Sequence, residues 1–162
     1  MNTVRMVGFT GHAGLPPHTA ELITKELHKH LAPHAGLGLI GISLLGPGAD
    51  QLFSKVVLEL SGSLYVVIPA TKYRDSFTDD DAQRTFDWLS ERAVYRERLE
   101  FTDSTEHAHM EGGKVVVDRA EVLLAVWDGR PSRGLGGTAD VVAYARQRGV
   151  PVEVVWPDGA TR

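Results

Sequence analysis

Short apolar, β-branched runs alternate with stretches of helical period along the chain, the pattern of strand–helix–strand units that build a parallel sheet. The predicted strands are Val4–Phe9, Leu37–Ser43, Leu64–Pro69, Val122–Trp127 and Val150–Trp156, with a weaker one at Leu99–Thr102. Apart from the weak one they are nearly continuously apolar, as strands covered by helices on both faces are. Ala49, Leu52, Phe53, Val56, Val57 and Leu60 recur at helical spacing over Ala49–Ser61, and Gly62 supplies the stop. Pro16 and Pro17 preset the first turn of a helix running to about Leu31. Another helix is predicted to start at Thr78, with Asp81 completing a capping box. Asp103 and Glu106 mark a further start, although Gly112-Gly113 disfavour the middle of that helix by roughly 2 kcal/mol relative to alanine. A last helix covers about Thr138–Arg148. The expected architecture is α/β, a three-layer sandwich around a mainly parallel sheet of five to six strands.

At 162 residues the chain has room for one domain, expected over residues 1–162. Hydrophobic residues make up 43% and charged residues 23%, enough for a sizeable core without a partner. The 17 Lys+Arg against 21 Asp+Glu leave a net charge of −4. That balance argues against the clustered cations that neutralise a phosphate backbone, so no nucleic-acid partner is expected. Cysteine is absent, which removes thiolate chemistry and fits a reducing compartment. Met1–Arg5 lead into a stretch too short and too glycine-interrupted for a signal peptide, and no run approaches the roughly 18 apolar residues of a membrane span. A cytoplasmic protein with no membrane partner is expected; homo-oligomer formation stays open, because one amphipathic pattern does not decide it.

In an open parallel sheet the ligand crevice lies beyond the carboxyl ends of the strands, where strand order reverses. The loops predicted at that edge are Thr10–Gly14, Gly46–Asp50, Thr71–Asp75 and the stretch from Asp128 to Thr138. Two of them open directly into helices, whose first N–H groups and positive dipole end attract anions. Gly136, Gly137 and Thr138 read as a phosphate cradle with the Thr138 hydroxyl as a further donor; the alternative is a tight turn with Thr138 as N-cap. Gly46, Gly48 and Asp50 admit either a second phosphate loop or a plain turn in which Asp50 complements the helix dipole. His12 sits in the first loop, where a donor to phosphate or base would be useful; a plain surface-loop histidine is the alternative.

Several other sites are excluded at motif level. The glycines of Gly8-Phe9-Thr10-Gly11-His12-Ala13-Gly14 are misspaced for a dinucleotide fingerprint, and the second strand ends Ile42-Ser43-Leu44 without the acid that would hold a ribose. Neither GxxxxGK[ST] nor GxSxG occurs. His107 and His109 lie two apart and so point to different sides of a helix, while His28, His30 and His34 read as a solvated helix end. No metal site and no cofactor are expected.

Ser43-Leu44-Leu45-Gly46-Pro47-Gly48-Ala49-Asp50, followed by a helix, Gly62 and Tyr65-Val66-Val67-Ile68-Pro69, resembles the first signature of the SLOG superfamily. Leu124-Ala125-Val126-Trp127-Asp128-Gly129 and Gly136-Gly137-Thr138-Ala139-Asp140 resemble its second. That superfamily groups a DNA-processing protein A type with a LOG, lysine-decarboxylase-like type, and this chain looks like a small stand-alone member. The resemblance implies a Rossmann-like domain that binds nucleotides or nucleotide-derived ligands, with phosphate at the glycine loops. The chain departs from both types. Around Met110-Glu111-Gly112-Gly113 it lacks the basic clusters of the LOG and DNA-binding members, and Asp140 stands one residue early, about 100° around the helix from the LOG acid.

The expected function is binding of a phosphorylated nucleoside or nucleotide-derived ligand in a sensor or binding role. Gly46, Gly48, Gly136, Gly137 and Thr138 would hold phosphate, Gly11 and His12 would line the floor, and Asp128 or Asp50 would take ribose hydroxyls. The alternative is an N-glycoside hydrolase or ribosyl-transfer enzyme with Asp140, Asp128 or Asp50, in that order, as the catalytic carboxylate.

Overall fold

The apolar runs form six strands: β1 (Arg5–Gly11), β2 (Leu39–Ser43), β3 (Ser63–Ala70), β4 (Tyr95–Phe101), β5 (Val122–Val126) and β6 (Val152–Val154). Five α-helices separate them: α1 (Pro17–Leu31), α2 (Ala49–Glu59), α3 (Asp80–Arg92), α4 (Glu106–Arg119) and α5 (Thr138–Gln147). The computed structural model describes residues 4–162, so Met1–Thr3, part of the stretch read against a signal peptide, lie outside the described residues. The sheet runs β4-β3-β2-β1-β5-β6 and every pairing is parallel. Strand order therefore reverses at β1, between β2 and β5, and in an α/β sheet this is where a crevice opens.

Two apolar layers enclose the sheet. On one face Ile23 and Leu27 of α1, Phe53 and Val57 of α2 and Leu89 of α3 pack against Val7, Phe9 and Leu124. Phe9 and Phe53 stack with centroids 4.5 Å apart. On the other face Val116 and Val117 of α4 and Val141 and Ala145 of α5 meet Ile42, Val67 and Leu123. Each fully buried side chain of this size contributes about 1.5–3 kcal/mol. Among the described residues no helix is long and apolar enough to cross a membrane.

Three local readings change. Helix α3 is capped by Asp79, whose carboxylate accepts from the Asp81 amide at 2.9 Å, so Thr78 is not the cap. Helix α4 runs unbroken through Gly112-Gly113 from its cap at Thr105. A Cβ on Gly112 would sit 2.9 Å from the Leu44 side chain and one on Gly113 2.8 Å from Val141. The bare backbone lets α4 lie close to the sheet and to α5, and this packing outweighs the propensity cost. Strand β4 begins at Tyr95, well before Leu99, because an edge strand tolerates the charged, half-exposed alternation of Arg96, Glu97 and Arg98.

Candidate ligand crevice

Beyond the carboxyl ends of β1 and β5 lies a crevice of about 380 Å³, within the range of small-molecule sites. Gly11 and His12 form its middle, Gly46, Asp50, Tyr73, Ser76, Phe77 and His109 wall one end, and Arg130, Arg133 and Gly136–Thr138 the other, with Arg162 on the lining. Gly46 and Asp50 follow β2 and Tyr73 follows β3, two and three strand spacings from β5, about 10 and 14 Å. His109 bridges them, since the amide of its neighbour Met110 would lie 3.0 Å from a Cβ on Gly136.

His12 ties the loops together. It is 5% exposed, its amide donates to Val126 O at 3.2 Å, and its carbonyl accepts from the first amide of α2, Ala49 N, at 3.1 Å. Its Nε2 accepts from the Asp128 amide at 3.0 Å, and Nδ1 lies 3.5 Å from Thr138 Oγ1. Accepting at Nε2 assigns the proton to Nδ1, where it can be donated to Thr138. Burial lowers the His12 pKa, helped by Arg162 and Arg133 and opposed by Asp128, so the ring is neutral near pH 7. Trp156 packs edge-on against it, centroids 5.7 Å apart.

Asp128 lies beside this ring. Its carboxylate accepts from the Arg130 amide at 3.0 Å and lies 3.6 Å from Arg162 and 3.3 Å from His12 Nε2. Burial pushes its pKa up, but the Arg130 amide, His12 and Arg162 together outweigh this and leave it below the ordinary value. Arg162 is itself positioned by the segment that carries it: the fully buried Thr19 hydroxyl donates to Thr161 O at 2.8 Å and accepts from Thr161 N at 2.9 Å.

The two glycine loops are built alike. Gly46 N donates to the Asp50 carboxylate at 3.0 Å, and Gly136 N donates to that of Asp140 at 3.1 Å. At α5 the N-cap is Gly137, which places Thr138 at the first helical position. Among the described residues the amides of Thr138 and Ala139 have no hydrogen-bond partner, whereas Asp140 N is taken by Gly137 O and Ser132 Oγ. Gly136 has φ +85°, and a Cβ there would meet backbone of α4, 2.9 Å from Glu106 O.

Of the residues singled out from sequence, Gly11, His12, Gly46, Asp50, Gly136, Gly137 and Thr138 line the crevice, while Gly48, Asp128 and Asp140 stand outside the lining. Asp50 is the one carboxylate among the described lining residues. Burial raises it to about 7 against the opposing pull of the Gly46 amide. Tyr73 beside it is raised well above the ordinary tyrosine value, first by burial and then by Asp50. His109 is lowered by burial; its Nε2 lies 2.7 Å from Ser104 Oγ, and its ring meets Tyr73 edge-on at 5.4 Å. Sequence reasoning missed Tyr73, Phe77, His109 and Arg162. Tyr73 falls inside the loop predicted at the strand ends; the other three come from separate elements that only the fold brings together. Among the described residues no group of three or more His, Asp or Glu is placed to hold a metal ion.

No family model and no curated protein matches the chain. Among solved structures it is similar to DNA processing protein A (DprA) from Streptococcus pneumoniae, with a TM-score of 0.69 and 15% identity over 96% of this chain and 52% of that one. It is also similar to DprA from Helicobacter pylori, with a TM-score of 0.71 and 14% identity over 98% of this chain and 69% of that one. The chain shares the fold of these two DprA structures. The resemblance read from the two signatures is thus borne out for the fold, and the chain spans about half the length of the pneumococcal protein. The expectation of no nucleic-acid partner requires correction. The Helicobacter protein is described by its single-stranded DNA binding mode, and a net charge of −4 averages over the whole surface. It does not report the local field of Arg130, Arg133 and Arg162 around one crevice.

Proposed function

We propose that the crevice binds a phosphorylated nucleoside, with phosphate at the start of α5 and the base toward Tyr73. A binding role is also what the fold relatives support. The observation that carries this reading is the pairing of unpartnered amides at Thr138 and Ala139 with Arg130, Arg133 and Arg162 on one lining. Helix N-termini hold phosphate through such amides and the dipole, and guanidinium groups add charge-assisted bonds. N-glycoside hydrolysis fits less well, because Asp140 and Asp128, the first two acids considered for it, do not line the crevice and only the third, Asp50, does.

A second reading is that the nucleotide belongs to single-stranded DNA. It is favoured by the likeness to the Helicobacter protein. Calorimetric titration with nucleoside monophosphates, their parent nucleosides, inorganic phosphate and an oligothymidylate tests both. Monophosphates binding at least about tenfold more tightly than nucleosides, a difference of about 1.4 kcal/mol, would support the proposal. Equal affinities would overturn the phosphate placement. Binding of the oligonucleotide alone would favour DNA.

A further inference from the structure

The Tyr73 end of the crevice is chemically unlike the α5 end. Its walls are aromatic: Tyr73 meets Phe77 edge-on at 5.0 Å and His109 at 5.4 Å. One acid, Asp50, serves this end. Gly46 marks how close these groups lie, since a Cβ there would stand 2.9 Å from the Tyr73 hydroxyl and 3.1 Å from Asp50 Oδ2. Asp50 Oδ2 accepts one backbone bond, from Gly46. A carboxylate offers about four acceptor sites, so further acceptor capacity remains.

Resting on the reading that the crevice binds a phosphorylated nucleoside, we infer that Asp50 selects the base, and that it selects one whose edge presents two adjacent N–H donors. Guanine is the common base of that kind. Aromatic walls accept the flat faces of any base and so give affinity without choice. A half-buried carboxylate that only accepts when ionised discriminates, because a base that cannot donate leaves its remaining acceptor sites unmet. Adenine and cytosine present a donor beside an acceptor and would need the carboxyl protonated.

The protonation state therefore gives the inference a sign. Asp50 titrates at about 7 in the free protein. Binding guanine requires the ionised form, so proton release accompanies binding and affinity rises as pH passes upward through 7. A base needing the protonated carboxyl would bind more weakly over the same range. The other groups facing this end are Tyr73, protonated throughout, and His109, lowered by burial. His12 lies in the middle, and its lowered pKa keeps it neutral above pH 7.

The test is calorimetric titration of GMP, AMP and inorganic phosphate at pH 6, 7 and 8, with wild type and Asp50→Asn. The expected result is GMP tighter than AMP by about tenfold at pH 8, a preference that shrinks at pH 6 and disappears in Asp50→Asn. Asp50→Asn should still bind inorganic phosphate as wild type does, which separates a lost base preference from a folding defect. Equal binding of GMP and AMP at pH 8, or a preference that survives in Asp50→Asn, overturns the assignment of Asp50 while leaving phosphate binding intact. Failure of both nucleotides to bind overturns the nucleotide reading itself, and the inference with it.

Discussion

The Gly136 amide donates to the Asp140 carboxylate at 3.1 Å, and the same contact recurs between Gly46 and Asp50 at 3.0 Å. Both loops read Gly-x-x-Ala-Asp, Gly46 to Asp50 and Gly136 to Asp140. In each, the acid in the first turn of the helix closes the loop by holding the amide four residues back, and it also complements the dipole. The two loops differ in what lies around the acid. Asp50 is on the crevice lining and Asp140 is not, so the similar sequences lead to different expectations.

For Asp140 the expected role is to hold the loop. Asp140→Asn keeps a carbonyl that accepts from Gly136 and should change stability and phosphate affinity little. Asp140→Ala leaves that amide without its partner and should cost about 1 kcal/mol in denaturant unfolding, with weakened phosphate binding. No free base should be released from any monophosphate by either variant or by wild type. A base-release activity lowered roughly 100-fold in Asp140→Asn would mean that this acid does chemistry.

For Asp50 the expected effect is on stability against pH. Its folded value of about 7 lies above the ordinary 3.8, so the folded state holds a proton that the unfolded chain gives up between those values. Its contribution is present in full below about pH 4 and lost as pH rises through 7. Asp50→Asn should remove that loss and be more stable than wild type at pH 8 by about 1–3 kcal/mol, with no gain at pH 4. Chemical denaturation at the two pH values measures this.

His12 should show the opposite slope. Its folded pKa lies below the ordinary 6.5, so the unfolded state takes up the proton first as pH falls. The contribution of the neutral ring is complete above 6.5 and is lost below it. His12→Ala should cost about 1–3 kcal/mol at pH 8, because Asp128 N and Thr138 Oγ1 lose their partner, and the gap to wild type should narrow toward pH 5.

The adjacent glycines of the α5 loop should separate structure from ligand approach. Gly136→Ala forces a Cβ onto α4 backbone at φ +85° and should destabilise the fold by more than about 1 kcal/mol. Gly137 has φ −70°, and its Cβ would meet the Ser132 side chain, Oγ at 2.7 Å and Cβ at 2.9 Å, so the loop carrying Ser132 has to shift, but no helix backbone and no left-handed φ stand in the way. Gly137→Ala should lower the melting temperature less than Gly136→Ala does while weakening phosphate binding at least as much.

What the sequence made legible follows from the range of the interactions involved. The doubly covered inner strands and the amphipathic α2 are local patterns, and they appear where predicted, whereas the run Val150–Trp156 yields only the short, largely exposed edge strand β6, Val152–Val154. The loops at the carboxyl edge follow from the α/β topology. The charged β4 hides because an edge strand need not be apolar, and the Gly112-Gly113 stretch misleads because close packing by Leu44 and Val141 is a long-range fact. In the site, Gly136 and Asp50 announce themselves by motif. Whether a carboxylate faces the ligand or its own loop depends on rotamers and neighbours, which is why Asp128 and Asp140 read from sequence like crevice residues. Arg162 gives no signal at all, since the Thr19–Thr161 contact that positions it joins opposite ends of the described chain.

The most direct measurement is an amide chemical-shift titration of isotope-labelled protein with a nucleoside monophosphate and, separately, with its parent nucleoside. The account expects the monophosphate to move Gly137, Thr138 and Ala139 strongly and the residues around Tyr73 and His109 as well. The nucleoside should act only at the Tyr73 end, and more weakly. Shifts confined to a surface away from the α5 start, or a monophosphate and nucleoside that perturb the same amides equally, would contradict it.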